Sequence, residues 1–123
     1  INIFLPEKEL KKQIMSIQTD STPLEAPKDP EHCNVFSLYK LLASQAQVAQ
    51  MAENYRAGNY GFGHAKTALY ELILEKFAEP RQKFAYYMEH LSKVDEILKQ
   101  GAEKATKVAE QTLRRVREKL GYL

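Results

Sequence analysis

The sequence predicts an all-α protein, a helical bundle of about four to five helices. Three observations carry that expectation. Apolar residues recur with a period near 3.6 through most of the 123 residues. Most of the prolines and glycines fall between those periodic runs, where they punctuate rather than interrupt. Nothing beyond the first five residues alternates with the period of two that a half-buried strand shows.

The elements follow in order. Ile1-Asn2-Ile3-Phe4-Leu5 reads as extended apolar backbone with no partner strand downstream, and the chain opens on Ile rather than Met. Together these predict a fragment whose N-terminal neighbour lies elsewhere, with residues 1–18 as a linking strand and helix. Pro6 suits a first helical position, and Glu7 and Glu9 complement the positive end of the helix dipole. Leu10, Ile14 and Ile17 then predict a helix over about 6–17. Thr19-Asp20-Ser21-Thr22-Pro23 stops it, and Pro27, Asp29 and Pro30 keep 19–33 irregular. A structureless stretch of that length is uncommon in a compact domain and is often functional.

Residues 34–123 carry the helical body. Asn34 is expected to cap a helix through Val35, Phe36, Leu38, Tyr39, Leu41 and Leu42. Ser44 and Gln47 form a capping box that restarts it, and Val48, Met51, Ala52 and Tyr55 continue the face to Gly58. Gly58, Gly61 and Gly63 mark a connector bearing Tyr60 and Phe62. A third helix is expected from about His64 with Ala65, Ala68, Leu69, Leu72, Ile73 and Phe77 inward, kinked or divided at Pro80. Ser92 and Asp95 signal a long last helix over about 93–120, ended by Gly121. Its face of Leu98, Gly101, Ala102, Ala105, Ala109, Val116 and Leu120 is apolar and partly small, which lets another helix approach closely.

Composition bounds the function. Eighteen basic and sixteen acidic residues leave +2, too small alone to indicate a nucleic-acid partner. The balance is −2 over residues 1–33 and +4 over 34–123. The single cysteine, Cys33, forms no internal disulfide and no Cys/His zinc pattern, which fits a reducing, cytoplasmic setting. The apolar runs are far shorter than the ~20 residues of a membrane span. His32, His64 and His90 share no metal-ligand spacing, and no catalytic or metal-binding set is expected. Gly58-Asn59-Tyr60-Gly61-Phe62-Gly63 lacks the preceding strand and following Lys-Ser/Thr of a phosphate loop.

Two readings of that connector stand. Tyr60 and Phe62 plug the gap between helices, or they form a corner on which unpaired RNA bases stack, with His64 and Lys66 in the adjoining first turn. On the last helix, Lys104, Lys107, Arg114 and Lys119 form a basic stripe interleaved with Glu103, Glu110 and Glu118. That is a solvated face of i,i+4 pairs or a track for phosphates.

Several runs together resemble the C-terminal part of bacterial-type tryptophanyl-tRNA synthetases. They are Ile1-Asn2-Ile3-Phe4, Lys11-Lys12-Gln13-Ile14-Met15-Ser16-Ile17 with Thr19-Asp20-Ser21, Cys33-Asn34-Val35-Phe36, Tyr55-Arg56-Ala57-Gly58 with Tyr60-Gly61, and Gly101-Ala102-Glu103-Lys104-Ala105. The resemblance spans the chain in order. It implies an anticodon-binding helical domain at 34–123, with 1–18 joining it to a catalytic domain that holds ATP and Mg²⁺. That domain's HIGH-like and KMSKS-like motifs are absent here. It also implies tRNA(Trp) as partner, a homodimeric parent enzyme, and no catalysis or cofactor in this piece. By position it points to Phe62, His64 and Lys66 as anticodon contacts, with Asp29 and Asn34 of the preceding loop as a second surface. The competing expectation is a helical protein-interaction module with no RNA role, since Ala52-x-x-Tyr55-x-x-Gly58-x-Tyr60 echoes a tetratricopeptide. That pattern should recur every 34 residues, and it occurs once.

Overall fold

A computed structural model describes residues 1–122 of the chain. Among them are six helices and no strand: α1 (Glu7–Met15), α2 (Asn34–Leu42), α3 (Gln45–Ala57), α4 (Phe62–Lys76), α5 (Ala78–Glu89) and α6 (Leu91–Lys119). Six arise from the expected set because α2 and α3 part at Ser44, while α4 and α5 part at Phe77. The chain divides into two compact units, Ile1–Gln82 and Lys83–Leu123.

The first unit holds the core. Helix α4 packs on α1 and α2, and α2 packs on α3. Each contributes the apolar stripe its period predicts: Leu10 and Ile14, then Val35, Phe36 and Tyr39, then Met51, Ala52 and Tyr55, then Ala65, Leu69, Leu72 and Ile73. Fully buried side chains such as Leu10, Ile14 and Leu69 each contribute about 1.5–3 kcal/mol. Tyr55 brings a fully buried hydroxyl into this core. Burial, helped by a 3.3 Å contact between its hydroxyl and the Cys33 thiol, pushes its ionisation far above the ordinary phenol range.

The helix ends show how local chemistry set the boundaries. Ser44 accepts from the Gln47 amide at 3.3 Å, and Gln47 Oε1 accepts from the Ser44 amide at 2.9 Å, the expected capping box. Helix α2 is capped by Cys33, not Asn34; Asn34 is its first residue, and its Nδ2 donates instead to the Gln18 carbonyl at 3.3 Å. Helix α4 begins at Phe62, two residues earlier than expected, since Gly61 takes the N-cap conformation. His64 Nδ1 then accepts the Gly61 amide at 3.1 Å. Pro80 lies in the first turn of α5, where a missing N–H costs no helical hydrogen bond. Helix α6 starts at Leu91 with His90 as N-cap, ahead of the Ser92 signal.

The first five residues are not extended. They turn, with the Phe4 amide donating to Asn2 Oδ1 at 3.0 Å and the Asn2 amide to Gln13 Oε1 at 2.8 Å. Arg81 fastens this turn, its Nη1 donating to the Ile3 carbonyl and, at 2.9 Å, to that of Leu5.

In the second unit, α6 runs for 29 residues and buries no side chain fully. Leu98, Val108, Leu113, Val116 and Leu120 are all exposed. At 100° per residue, Lys93, Lys104, Lys107 and Arg114 lie on the face opposite Leu98 and Val116, while Arg115 and Lys119 fall toward the apolar side. The Tyr86 ring stacks on His90, centroids 4.2 Å apart.

Candidate nucleic-acid interface

Residues 18–33 cross the first unit without regular structure, and one buried cation organises them. Lys28 is 5% exposed. Its Nζ donates to the carbonyls of Pro23, Leu24 and Ala26 at 2.9, 3.2 and 3.1 Å, and its amide donates to the Tyr55 carbonyl at 2.7 Å. The same ammonium lies 5.4 Å from the Phe62 ring centroid, joining the loop to the start of α4.

Folding the loop back in this way leaves a polar recess of about 230 Å³ lined by Gln18, Thr19, Asp20, His32, Cys33, Asn34 and Phe62. Two of its edges carry ordered charge. Asp20 Oδ1 accepts the Thr22 amide at 2.8 Å, and the Thr22 side chain and amide hold the Asp20 carboxyl below its usual range. His32 Nδ1 donates to Asp29 Oδ2 at 2.5 Å. That bond raises the imidazole's ionisation and, with the Glu31 amide at 2.9 Å, lowers that of Asp29.

The five residues singled out from sequence are placed as follows. Phe62 and Asn34 share the recess, and Asp29 reaches its rim through His32. Phe62 also meets Tyr55 edge-on at 6.3 Å, and Tyr60 lies 5.7 Å from the same ring, so the connector aromatics do pack between helices. His64 is exposed beside Tyr60, centroids 5.6 Å apart. Because Nδ1 accepts from Gly61, the neutral ring's proton is assigned to Nε2, which leaves that atom a donor. Lys66 is engaged elsewhere: its Nζ donates to the Met15 carbonyl at 2.9 Å, closing the C-terminal end of α1.

Sequence reasoning passed over Lys28, His32 and Asp20 as site residues. Asp29-Pro30-Glu31-His32 does carry a turn signal, an Asp whose side chain accepts two residues on. A lone Lys among prolines gives no comparable sign of burial. Charge is also distributed unevenly: residues 1–82 hold nine basic and ten acidic residues, 83–123 nine and six. The unit with the recess is slightly acidic, and the positive excess belongs to the other.

No protein-family model matches the chain. Individual proteins do. A tryptophan–tRNA ligase of Campylobacter jejuni (strain RM1221) is 45% identical over 121 residues, covering 98% of this chain and 38% of the relative. The Fusobacterium nucleatum ligase is 39% identical over 123 residues, all of this chain and 38% of the relative. The crystal structure of tryptophanyl-tRNA synthetase from Campylobacter jejuni, complexed with ADP and tryptophan, superposes with a TM-score of 0.93 at 45% identity. The overlap is again 98% of this chain and 38% of that one. The chain is homologous to the C-terminal helical region of the tryptophan–tRNA ligases. It spans about 38% of the length of these relatives. Among the described residues no helix is long and apolar enough to cross a membrane.

Proposed function

We propose that this chain is the tRNA-receiving helical part of a cytoplasmic tryptophan–tRNA ligase, and that the corner formed by residues 18–34 and the start of α4 faces the anticodon. The observation that supports it most is the match over 98% of the chain to such a ligase, combined with a recess where an aromatic ring and polar side chains converge. Phosphate contacts set the position of a bound RNA, and base edges supply specificity. Phe62 and Asn34 are the base-edge candidates, and Asp29 fixes the rim through His32. His64 Nε2 is a donor toward phosphate or base. Lys66 reaches a phosphate only by releasing the Met15 carbonyl.

The complete ligase would join tryptophan to tRNA(Trp) through an adenylate, using ATP and Mg²⁺, and would act as a homodimer. Among the described residues no group of three or more His, Cys, Asp or Glu is set to hold a metal ion. The work assigned to this chain is positioning, and no step of that chemistry is routed through its residues. The exposed apolar face of α6 suits a protein neighbour, for which the catalytic part of such a ligase is the candidate.

The test is titration of the chain with tRNA(Trp) and with tRNAs altered only in the anticodon. A binder that neutralises about two or three phosphates should lose roughly 10- to 40-fold affinity between 50 and 200 mM salt. Phe62→Ala should reduce the preference for the cognate anticodon. Binding insensitive to anticodon would remove the recognition role from this corner. No binding at any salt would favour the interaction-module reading instead.

A further inference from the structure

Almost the whole apolar face of α6 is uncovered. Every residue of the helix except Val94 is exposed, with Leu91 at 60%, Leu98 at 65% and the C-cap Leu120 at 66%. At 100° per residue, Leu91, Ala102, Ala105, Ala109, Leu113 and Leu120 lie within about 60° of Leu98. The order of sizes along this face is a palindrome. Counted outward from the midpoint of Ala105 and Thr106, Ala102 mirrors Ala109, Leu98 mirrors Leu113, and Leu91 mirrors Leu120. Such a face is complementary to itself when two copies lie antiparallel about a two-fold axis, large ends on large ends and alanines on alanines. Gly101 asks for the same partner. It lies mid-helix, where glycine weakens a helix relative to alanine, and nothing stands within 4 Å of where its Cβ would be. The chain's own packing gives no reason for a glycine there. A second helix does, because Val108 of an antiparallel copy comes opposite it.

We propose that a second copy of this chain takes this face, the two α6 helices pairing antiparallel with the two-fold axis at Ala105 and Thr106. Charge selects that arrangement. Residues 91–105 hold three basic and three acidic residues, and 106–119 hold five and two. A parallel pair sets the two positive halves side by side. The antiparallel pair sets each against a neutral half and opposes the helix dipoles. On one flank, Asp95 then meets the second copy's Arg117, and Lys99 meets its Glu110, each pair occurring twice. Among the described residues none of these four makes an ion pair within its own chain. The small residues bring the backbones close but offer little area. The contact therefore belongs with those below the ~1,200 Å² of standard interfaces, and it is reversible.

The experiment is sedimentation equilibrium of the 123-residue chain at low salt, between roughly 1 μM and 1 mM. The mass should rise from 14.2 kDa toward twice that value, with half-association at micromolar concentration. Ala105→Glu places two carboxylates at the axis and should hold the mass at that of a monomer throughout. Lys99→Glu sets a carboxylate against Glu110 in both pairs and should weaken association roughly 3- to 30-fold. Adding Glu110→Lys restores opposite charges between the copies and should recover the wild-type constant within about threefold. Positions 99 and 110 stand ~16 Å apart along one helix, too far to pair within it, so an antiparallel partner alone accounts for the rescue. All three positions are exposed, and the unfolding midpoint of the first unit should not move. A wild type that stays monomeric at the highest concentration, an Ala105→Glu variant that associates as wild type does, or a double variant no tighter than Lys99→Glu would each overturn the proposal. A monomer would leave this face to the catalytic part of a ligase, and none of these results bears on the RNA-binding reading above.

Discussion

Replacing Lys28 with Met should destabilise the first unit more than any other single change to a charged residue in the loop. The side chains are similar in length, so little volume is lost, and the aliphatic stem still packs. What disappears is the ammonium that serves the Pro23, Leu24 and Ala26 carbonyls at 2.9, 3.2 and 3.1 Å. A hydrogen bond to a charged group contributes about 1.5–3 kcal/mol, and a buried acceptor left unmade costs about 1–3 kcal/mol. The three bonds share one donor, and the loop can open enough to admit water, so their sum overstates the loss. About 2–4 kcal/mol is the expected cost, a large part of the ~5–15 kcal/mol that holds a typical domain together. Urea unfolding followed by tyrosine fluorescence, with hydrogen exchange at the Lys28 and Ala26 amides, measures it. Lys40→Met is the control, since the Lys40–Glu31 pair is exposed and 3.5 Å apart and should contribute under about 1 kcal/mol. If Lys28→Met unfolds within about 0.5 kcal/mol of wild type, the view of this ammonium as the loop's organiser is wrong.

Two further outcomes follow from the geometry. Gly58 has φ +80°, and a Cβ there would stand 2.5 Å from the Glu25 carbonyl oxygen; Gly58→Ala should cost about 2–3 kcal/mol in urea unfolding through left-handed strain and loop displacement. The Asp29–His32 pair makes a signed pH prediction. His32 is raised above its ordinary 6.5 by Asp29, so its share of the bond is complete below that value and fades as pH climbs through the raised one. Asp29 is lowered from 3.8, so its share is complete above 3.8 and fades as pH falls through the depressed value. By NMR, His32 should titrate higher than in Asp29→Asn, and coincident curves would show that the pair does not form in solution.

Much of the fold was legible because the signals were local. Ser44 with Gln47 is a reciprocal pair three residues apart, and it caps α3 as read. The stripes of α2 and α4 became the core because α4 meets both α1 and α2. The misplaced boundaries had nonlocal or unusual causes. Asn34 gave up the cap because its amide found Gln18, sixteen residues back. The start of α4 depends on a histidine doing what Glu or Gln does in a capping box, a substitution that residue preference does not anticipate. Ile1–Leu5 turns because Gln13 and Arg81 satisfy its backbone groups, the latter more than seventy residues away. Of the residues lining the recess, Phe62 and Asn34 stood out in the sequence as a loop aromatic and a polar residue at a helix start, whereas Asp20 lines it through the fold of an irregular loop that carries no periodic signal.

That fold also accounts for how an irregular segment can present a defined surface. Pro23, Pro27 and Pro30 carry no N–H and fix φ, so they ask for fewer partners and lose less freedom on folding than other residues would. The carbonyls left over between them converge on one ammonium, and the segment's exit is closed by the Cys33 amide donating to the Pro30 carbonyl at 3.3 Å. A loop held this way keeps Asp20, Asp29 and Asn34 in place before any ligand arrives, which removes much of the ordering cost that weakens binding by mobile segments. The ammonium that fixes the loop also lies against Phe62. Loop geometry and the aromatic flank therefore depend on one side chain, so Lys28→Met should weaken RNA binding as well as the fold.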